Sequence, residues 1–254
     1  MTFSLFVPLC LCTFVPVGMP PAEIELPEDG GFNPGQRLMN FHRRVFFLLL
    51  CFLPLSVWPC FAEELLIDDF SAGLSPGWHE KSFVGHTVYR PVFIDGRHAL
   101  QAESRASASG LFFEKEIDPK KMPVLSWSWK IEHVLPKGDA TTKQGDDYAA
   151  RIYVVFPSFF FWKTKAINYI WANRLPKGTA IASSYTSNSA MIAVESGNAL
   201  SGSWQEERRN IFDDFRNFFK EEPPEIGAIA IMTDTDNTGE SAVAYYGPIK
   251  MLSR

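Results

Sequence analysis

Read as a succession of hydrophobic and polar positions, residues 124–131 (VLSWSWKI) give the clearest signal. Leu125, Trp127, Trp129 and Ile131 fall on one face, and Ser126, Ser128 and Lys130 on the other. A period of two with one apolar face is the pattern of a half-buried strand, and the two tryptophans in phase with Leu125 and Ile131 are assigned to the core. Residues 226–249 (IGAIAIMTDTDNTGESAVAYYGPI) behave differently. Their first arm is apolar or small on both faces, with Ile226, Ala228, Ala230 and Met232 on one and Gly227, Ile229 and Ile231 on the other. A strand dry on both sides is expected at a sheet centre. Asn237 and Gly239 tolerate positive φ, so the turn that follows predicts a tight reversal between two buried strands. In 148–156 (YAARIYVVF), core parity holds Tyr148, Ala150, Ile152, Val154 and Phe156, leaving Asp147, Ala149, Arg151, Tyr153 and Val155 on the other face. In 190–195 (AMIAVE), Met191, Ala193 and Glu195 share a face.

Shorter runs at 65–70, 83–94, 98–104, 110–117, 166–171 and 180–184 read as further strands, with Asp95-Gly96 as a hairpin turn. Helical spacing is confined to 204–219 (WQEERRNIFDDFRNFF). There Ile211, Phe215 and Phe218 form a stripe, Asn210 and Asp213 an N-cap pair, and Pro223-Pro224 a stop. Periodicity does not decide whether 204–209 is helix or strand. Residues 159–162 (FFFW) are expected to cap the sandwich, with an exposed patch for a glycan or a membrane as the alternative. Many short strands without intervening helices predict an all-β fold: a two-sheet antiparallel β-sandwich, jelly-roll-like, with one helix near the C-terminus.

Composition shortens the chain that must fold. Of 254 residues, those at 39–62 read as a signal peptide: His42, Arg43 and Arg44, then an apolar run broken by Pro54 and Pro59, then Cys60-Phe61-Ala62. Cleavage is expected near Ala62. The run is shorter than the roughly 20 apolar residues that a span needs, so no stable transmembrane anchor is predicted and the product is expected to be periplasmic or secreted. Residues 1–38 open without a basic residue and continue rich in Pro, Gly and acids. They are read as a mis-annotated extension upstream of Met39, the alternative being a natural disordered one. All four cysteines precede the cut, so residues 63–254, a single β-sandwich domain, have no disulfide or thiol chemistry. A net charge of −5 offers no electrostatic footprint for nucleic acid.

Four long strings, GDDYAARIYVVF (145–156), AINYIWA (166–172), AVESG (193–197) and IGAIAIMTDTDNTGESA (226–242), resemble the exported bacterial family catalogued as domain of unknown function 3047. That resemblance implies no catalytic residue, because the family's function is unassigned. An opening Asp-Phe strand, Trp204 and a closing Tyr-Gly-x-Ile are, more loosely, similar to galactose-binding-type β-sandwich modules.

Two constellations carry candidate chemistry. Asp234-x-Asp236-x-Thr238-Gly239 has the spacing of the first half of a calcium loop, making Asp234, Asp236 and Thr238 candidate ligands of a structural calcium; Tyr245 stands where a bidentate Glu belongs. A solvated turn is the plain alternative. Asp146, Asp147, Arg151, Tyr153 and Glu195 form a candidate ligand site if their strands are neighbours, and a structural ion pair otherwise. Carboxylates and Arg make paired hydrogen bonds to diols, and Tyr supplies a ring face, so the expected partner is a polyhydroxylated ligand, a glycan, held without catalysis. The alternatives are a glycan-cleaving enzyme using Asp147 and Glu195, and a scaffold for another envelope protein. No Gly-x-Ser-x-Gly elbow, HExxH pair or phosphate loop is present, and the five histidines are scattered.

Overall fold

The computed structural model describes residues 63–253; the expectations for 1–38 and for a leader at 39–62 lie outside the described residues. Six strands form one sheet: β11 (Gln205–Asn210), β6 (Val124–Ile131), β13 (Ser241–Leu252), β4 (Arg97–Arg105) and β3 (Val88–Ile94) in that order, with β1 (Glu64–Asp68) also paired to β13. Seven form the other: β2 (Trp78–Val84), β5 (Ala108–Ile117), β12 (Ile226–Asp234), β7 (Arg151–Phe156), β8 (Lys165–Ala172), β10 (Ser189–Ser196) and β9 (Ala180–Ala182). All pairs are antiparallel except β8 with β10. The fold is a two-sheet β-sandwich with one α-helix, α1 (Ile211–Phe219), near the C-terminus.

The span of β6 matches its alternation. Trp127 and Trp129 enter the interlayer space and meet Tyr169 and Trp171 of the opposite sheet at ring separations of 5.3 and 5.9 Å. Its other face is drier than an alternating strand suggests. Ser128 and Lys130 are buried, the ammonium of Lys130 lying 5.7 Å from the Trp204 ring and 4.9 Å from that of Tyr245. Asp95 and Gly96 both adopt positive φ and turn β3 into β4, as the dipeptide predicts. Residues 205–210 are strand, and Asn210 caps α1 by accepting from the Asp213 amide at 3.0 Å.

Three expectations are corrected. β12 and β13 are not paired with each other: β12 is the third strand of one sheet and β13 a central strand of the other, so the acidic turn carries the chain between layers. A register shift between Ile226 and Ala228 sends Ile226 into the core with Ile229 and Ile231, leaving Ala228, Ala230 and Met232 on the opposite, outer face. Residues 159–162 cap nothing; Phe159 is 96% exposed.

Candidate functional site

Arg151 opens β7 on the outer face of the seven-stranded sheet, level with Met232 of β12 and Ile170 of β8. Tyr246 fixes this corner from the other layer. Its hydroxyl donates to the Met232 carbonyl at 2.7 Å and accepts from the Arg151 amide at 3.3 Å. The guanidinium of Arg151 is buried. It bonds Asp234, lies 3.9 Å from Asp146, and packs over the rings of Tyr148 and Tyr153 at 5.2 and 5.1 Å. Asp234 also accepts from the Tyr148 amide at 3.2 Å, and the Tyr148 hydroxyl donates to Asp146 at 3.0 Å. Tyr148 was expected on core parity. Residues 147–150 precede the strand, so alternation does not reach them, and Tyr148 packs on the outer face with Ala140, Ile170, Ala172, Met191 and Ala193.

The acidic turn closes over the same point. Asp147 accepts from the Thr238 amide at 2.6 Å and from the amide and side chain of Asn237 at 3.3 and 3.2 Å. The turn thus brings Asp234, Asp236 and Thr238 to Asp146, Asp147, Arg151 and Tyr153, seven of the eight candidates. Burial raises the Asp146 carboxyl against the pull of Arg151, and burial followed by the charge of Asp147 raises Asp236.

Glu195 is elsewhere. A register shift between Ala193 and Glu195 breaks the alternation of β10, so Glu195 pairs with Trp171, whose ring lies in the core, instead of sharing the outer face with Met191 and Ala193. It bonds Lys177 and faces Glu207 of β11, a residue opposite Trp127 on the inner side of the other sheet. Glu207 accepts from the Trp129 indole at 3.3 Å, and burial and then the charge of Glu195 push its carboxyl up to about 7. Asp147 and Glu195 therefore lie on opposite faces of one sheet and do not share a cleft.

Asp147, Asp234 and Asp236 each place an oxygen within 4.8 Å of the others, the donor type that a hard cation takes. A cation bound by all three would compete with Arg151 for Asp234. Thr238 supports this group from behind, through its amide on Asp147, and its hydroxyl is buried without a partner. Tyr245 lies across the other sheet beside Lys130 and Gln101, so the loop lacks a closing ligand at that position.

The solvent side of the site is built by residues that periodicity did not single out. Tyr185, 53% exposed, places its hydroxyl 3.0 Å from Asn237 Oδ1 and 3.2 Å from the Lys143 carbonyl, with the Lys143 ammonium 5.3 Å from its ring. Burial, and then the carboxylates of Asp146, Asp236 and Asp147, raise its pKa. A lone aromatic in the polar loop SSYTSNS (183–189) is the signal that marks it. Further along the same outer face, a hollow of about 530 Å³ is lined by Phe112, Val155, Pro157 and Ala228.

The family model described as protein of unknown function (DUF3047) matches residues 76–250. No curated protein matches the sequence. Among solved structures, the chain is similar to a family 29 carbohydrate-binding module mutant complexed with cellulohexaose, at 9% identity and TM-score 0.39 over 76% of this chain and 92% of that one. It is also similar to a non-crystalline cellulose specific module of family 28, at 16% identity and TM-score 0.35 over 75% and 92%. A third is the family 11 xylanase from Neocallimastix patriciarum, at 8% identity and TM-score 0.33 over 76% and 93%. At such scores these likenesses carry nothing about ligand or chemistry.

Proposed function

This chain belongs to the family described as protein of unknown function (DUF3047), and we propose that it is an exported domain that binds a polyhydroxylated ligand, a glycan, without covalent catalysis. The observation that carries the reading is the exposed Tyr185, whose hydroxyl meets Asn237 and the Lys143 carbonyl at the rim of the acidic cluster. Asp146, Asp147, Arg151 and Asp234 are too deeply buried to meet a ligand and serve as the floor that holds the others in place. Above them, Tyr185 offers an apolar face to a sugar ring, the Asp236 carboxylate accepts from hydroxyls, and the Lys143 ammonium donates. Export rests on the leader read at 39–62.

A glycan array followed by calorimetry tests this reading with the wild type, Tyr185→Ala and Asp236→Asn. Each substitution is expected to weaken any glycan bound by tenfold or more. Absence of binding across a broad array, or binding that both variants retain in full, would sink it.

A second reading has its own support. Burial and then the charge of Glu195 push the Glu207 carboxyl up to about 7, and a raised carboxyl beside a second one that pairs with Lys177 is a starting point for a general acid in glycoside hydrolysis. If the chain cleaves glycans, Glu195 and Glu207 do it, and not Asp147. Incubation with end-labelled polysaccharides decides: new ends from the wild type and none from Glu207→Gln would favour hydrolysis over binding.

A further inference from the structure

The β7–β8 connection carries four consecutive aromatic residues and buries none. Phe159, Phe160, Phe161 and Trp162 are 96, 44, 81 and 60% exposed. The rings pack on one another. Phe159 stands edge-on to Phe160 at 5.1 Å, Phe161 edge-on to Trp162 at 5.2 Å, and Phe160 lies beside Trp162 at 5.0 Å. Beneath them the backbone is closed by its own hydrogen bonds. The Lys163 amide donates to the Phe160 carbonyl at 2.8 Å, the Thr164 amide to that of Phe161 at 3.1 Å, and the Asn188 side chain to that of Trp162 at 2.8 Å. The Ser158 amide finds the Thr164 hydroxyl at 3.3 Å. Lys163 is exposed and holds its ammonium 5.5 Å from the Phe160 ring, and Lys165 follows at the base of the tip, paired with Glu221 at 2.5 Å.

We propose that this tip enters the headgroup region of a lipid bilayer and seats the domain on a membrane surface. Four features select lipid over other occupants. Phe159 and Phe161 project almost wholly into solvent, so they enter a deformable medium readily, whereas a protein partner would need a matching pocket. The carbonyls of Phe160, Phe161 and Trp162 already accept from Lys163, Thr164 and Asn188, which lowers the cost of moving them to a less hydrated boundary. Trp and Phe beside Lys are the side chains that rest at the boundary between headgroups and acyl chains, with the ammonium reaching back to phosphate. A sugar is less well served, since Phe159 and Phe161 stand edge-on to their neighbours and the three Phe side chains offer no hydrogen bond. β7 runs from Arg151 at the floor of the candidate site to Phe156 before the tip, and Asn188, three residues from Tyr185, bonds the tip, so a chain seated this way holds the Tyr185 loop beside the membrane surface.

The test is side-chain footprinting by hydroxyl radicals on the full-length protein, with and without vesicles of phosphatidylcholine and phosphatidylglycerol. The readout is local to residues 159–162, so membrane contacts made elsewhere in the chain do not interfere. Vesicles are expected to reduce labelling of Phe159, Phe161 and Trp162 at least fivefold. Labelling at these three residues that vesicles leave unchanged would overturn the proposal. Phe159→Ser/Phe161→Ser removes the two most exposed rings and is expected to keep the wild-type melting curve while abolishing protection at Trp162. Full protection of Trp162 in that double variant would also count against insertion. Sedimentation velocity without lipid checks self-association: a concentration-dependent dimer lost in the double variant, with no vesicle protection in the wild type, would assign the tip to a second copy of the chain.

Discussion

Replacing Glu207 by Gln probes the inner edge of the sandwich through a pH dependence whose sign the geometry sets. Glu207 meets the Trp129 indole at 3.3 Å and faces Glu195, whose charge is held by Lys177. Burial and then Glu195 raise its carboxyl from 4.5 to about 7. A raised carboxyl binds its proton more readily in the folded chain. It therefore supports the fold fully below the unfolded pKa, and that support is lost as pH rises through about 7. At about 1.4 kcal/mol per pKa unit the displacement corresponds to about 3 kcal/mol, which solvent screening of this partly buried side chain reduces to roughly 2 kcal/mol. Gln reproduces the neutral acid, its carbonyl accepting from Trp129 and its amide donating toward Glu195. Urea unfolding at intervals from about pH 4 to pH 9 should give curves that coincide in acid and separate until the variant is more stable by roughly 2 kcal/mol above pH 8. Parallel curves, or a variant less stable at pH 8, would refute the assignment of Glu207 as a proton-holding partner of Glu195.

Three further outcomes follow from the other face and the second layer. Arg151→Met leaves Asp234 buried beside Asp146 without its cation, and should cost about 3–5 kcal/mol in urea unfolding at pH 7; a loss below about 1 kcal/mol would mean that the network is dispensable. Asp236→Asn removes repulsion with Asp147 and should raise stability by a few tenths to about 1 kcal/mol, discounted for exposure, in calcium and in chelator alike; destabilisation in calcium alone would show that Asp147, Asp234 and Asp236 hold a cation. Gly247→Ala would drive a methyl into the Ser128 hydroxyl and should cost about 1–3 kcal/mol, recovered in Gly247→Ala/Ser128→Ala because the Ser128 Cβ lies 3.4 Å away; thermal melts of the single and double variants check it.

What alternation conveys is which side of a strand is dry, and where a strand is regular that was enough. The core face of β6, the doubly dry β12 and the Asn210 cap were all legible, because each depends on residues within one turn or one strand length. What failed were statements about neighbours. Residues 234–240 have a composition suited to a tight reversal, yet nothing local distinguishes a turn that pairs its two arms from one that passes them to different sheets. Only the competition of β5, β7, β4 and β6 for the two strands decides it. Glu195 failed for a related reason. One unpaired residue after Ala193 inverts every later side chain, and a period-two count cannot see it.

Those two errors partly cancelled in one place and compounded in another. The layer-crossing turn folds back onto the start of β7, so the acids read as a calcium loop and the acids read as a ligand site became one cluster around Arg151. The shift in β10 instead withdrew Glu195 from that cluster and set it against Glu207, a residue with no signal of its own in the polar run QEERRN. Long-range pairing rather than residue type therefore decided which carboxylates share a field. In both clusters a cation pairs with the deeper acid, Arg151 with Asp234 and Lys177 with Glu195, while a shallower carboxyl beside it, Asp236 or Glu207, makes no such pair and has its pKa raised, as burial also raises that of Asp234. An acid left free to take up a proton or a hydroxyl at the rim of each cluster is what makes both places candidates for ligand chemistry, where the fully paired acids alone would be structure.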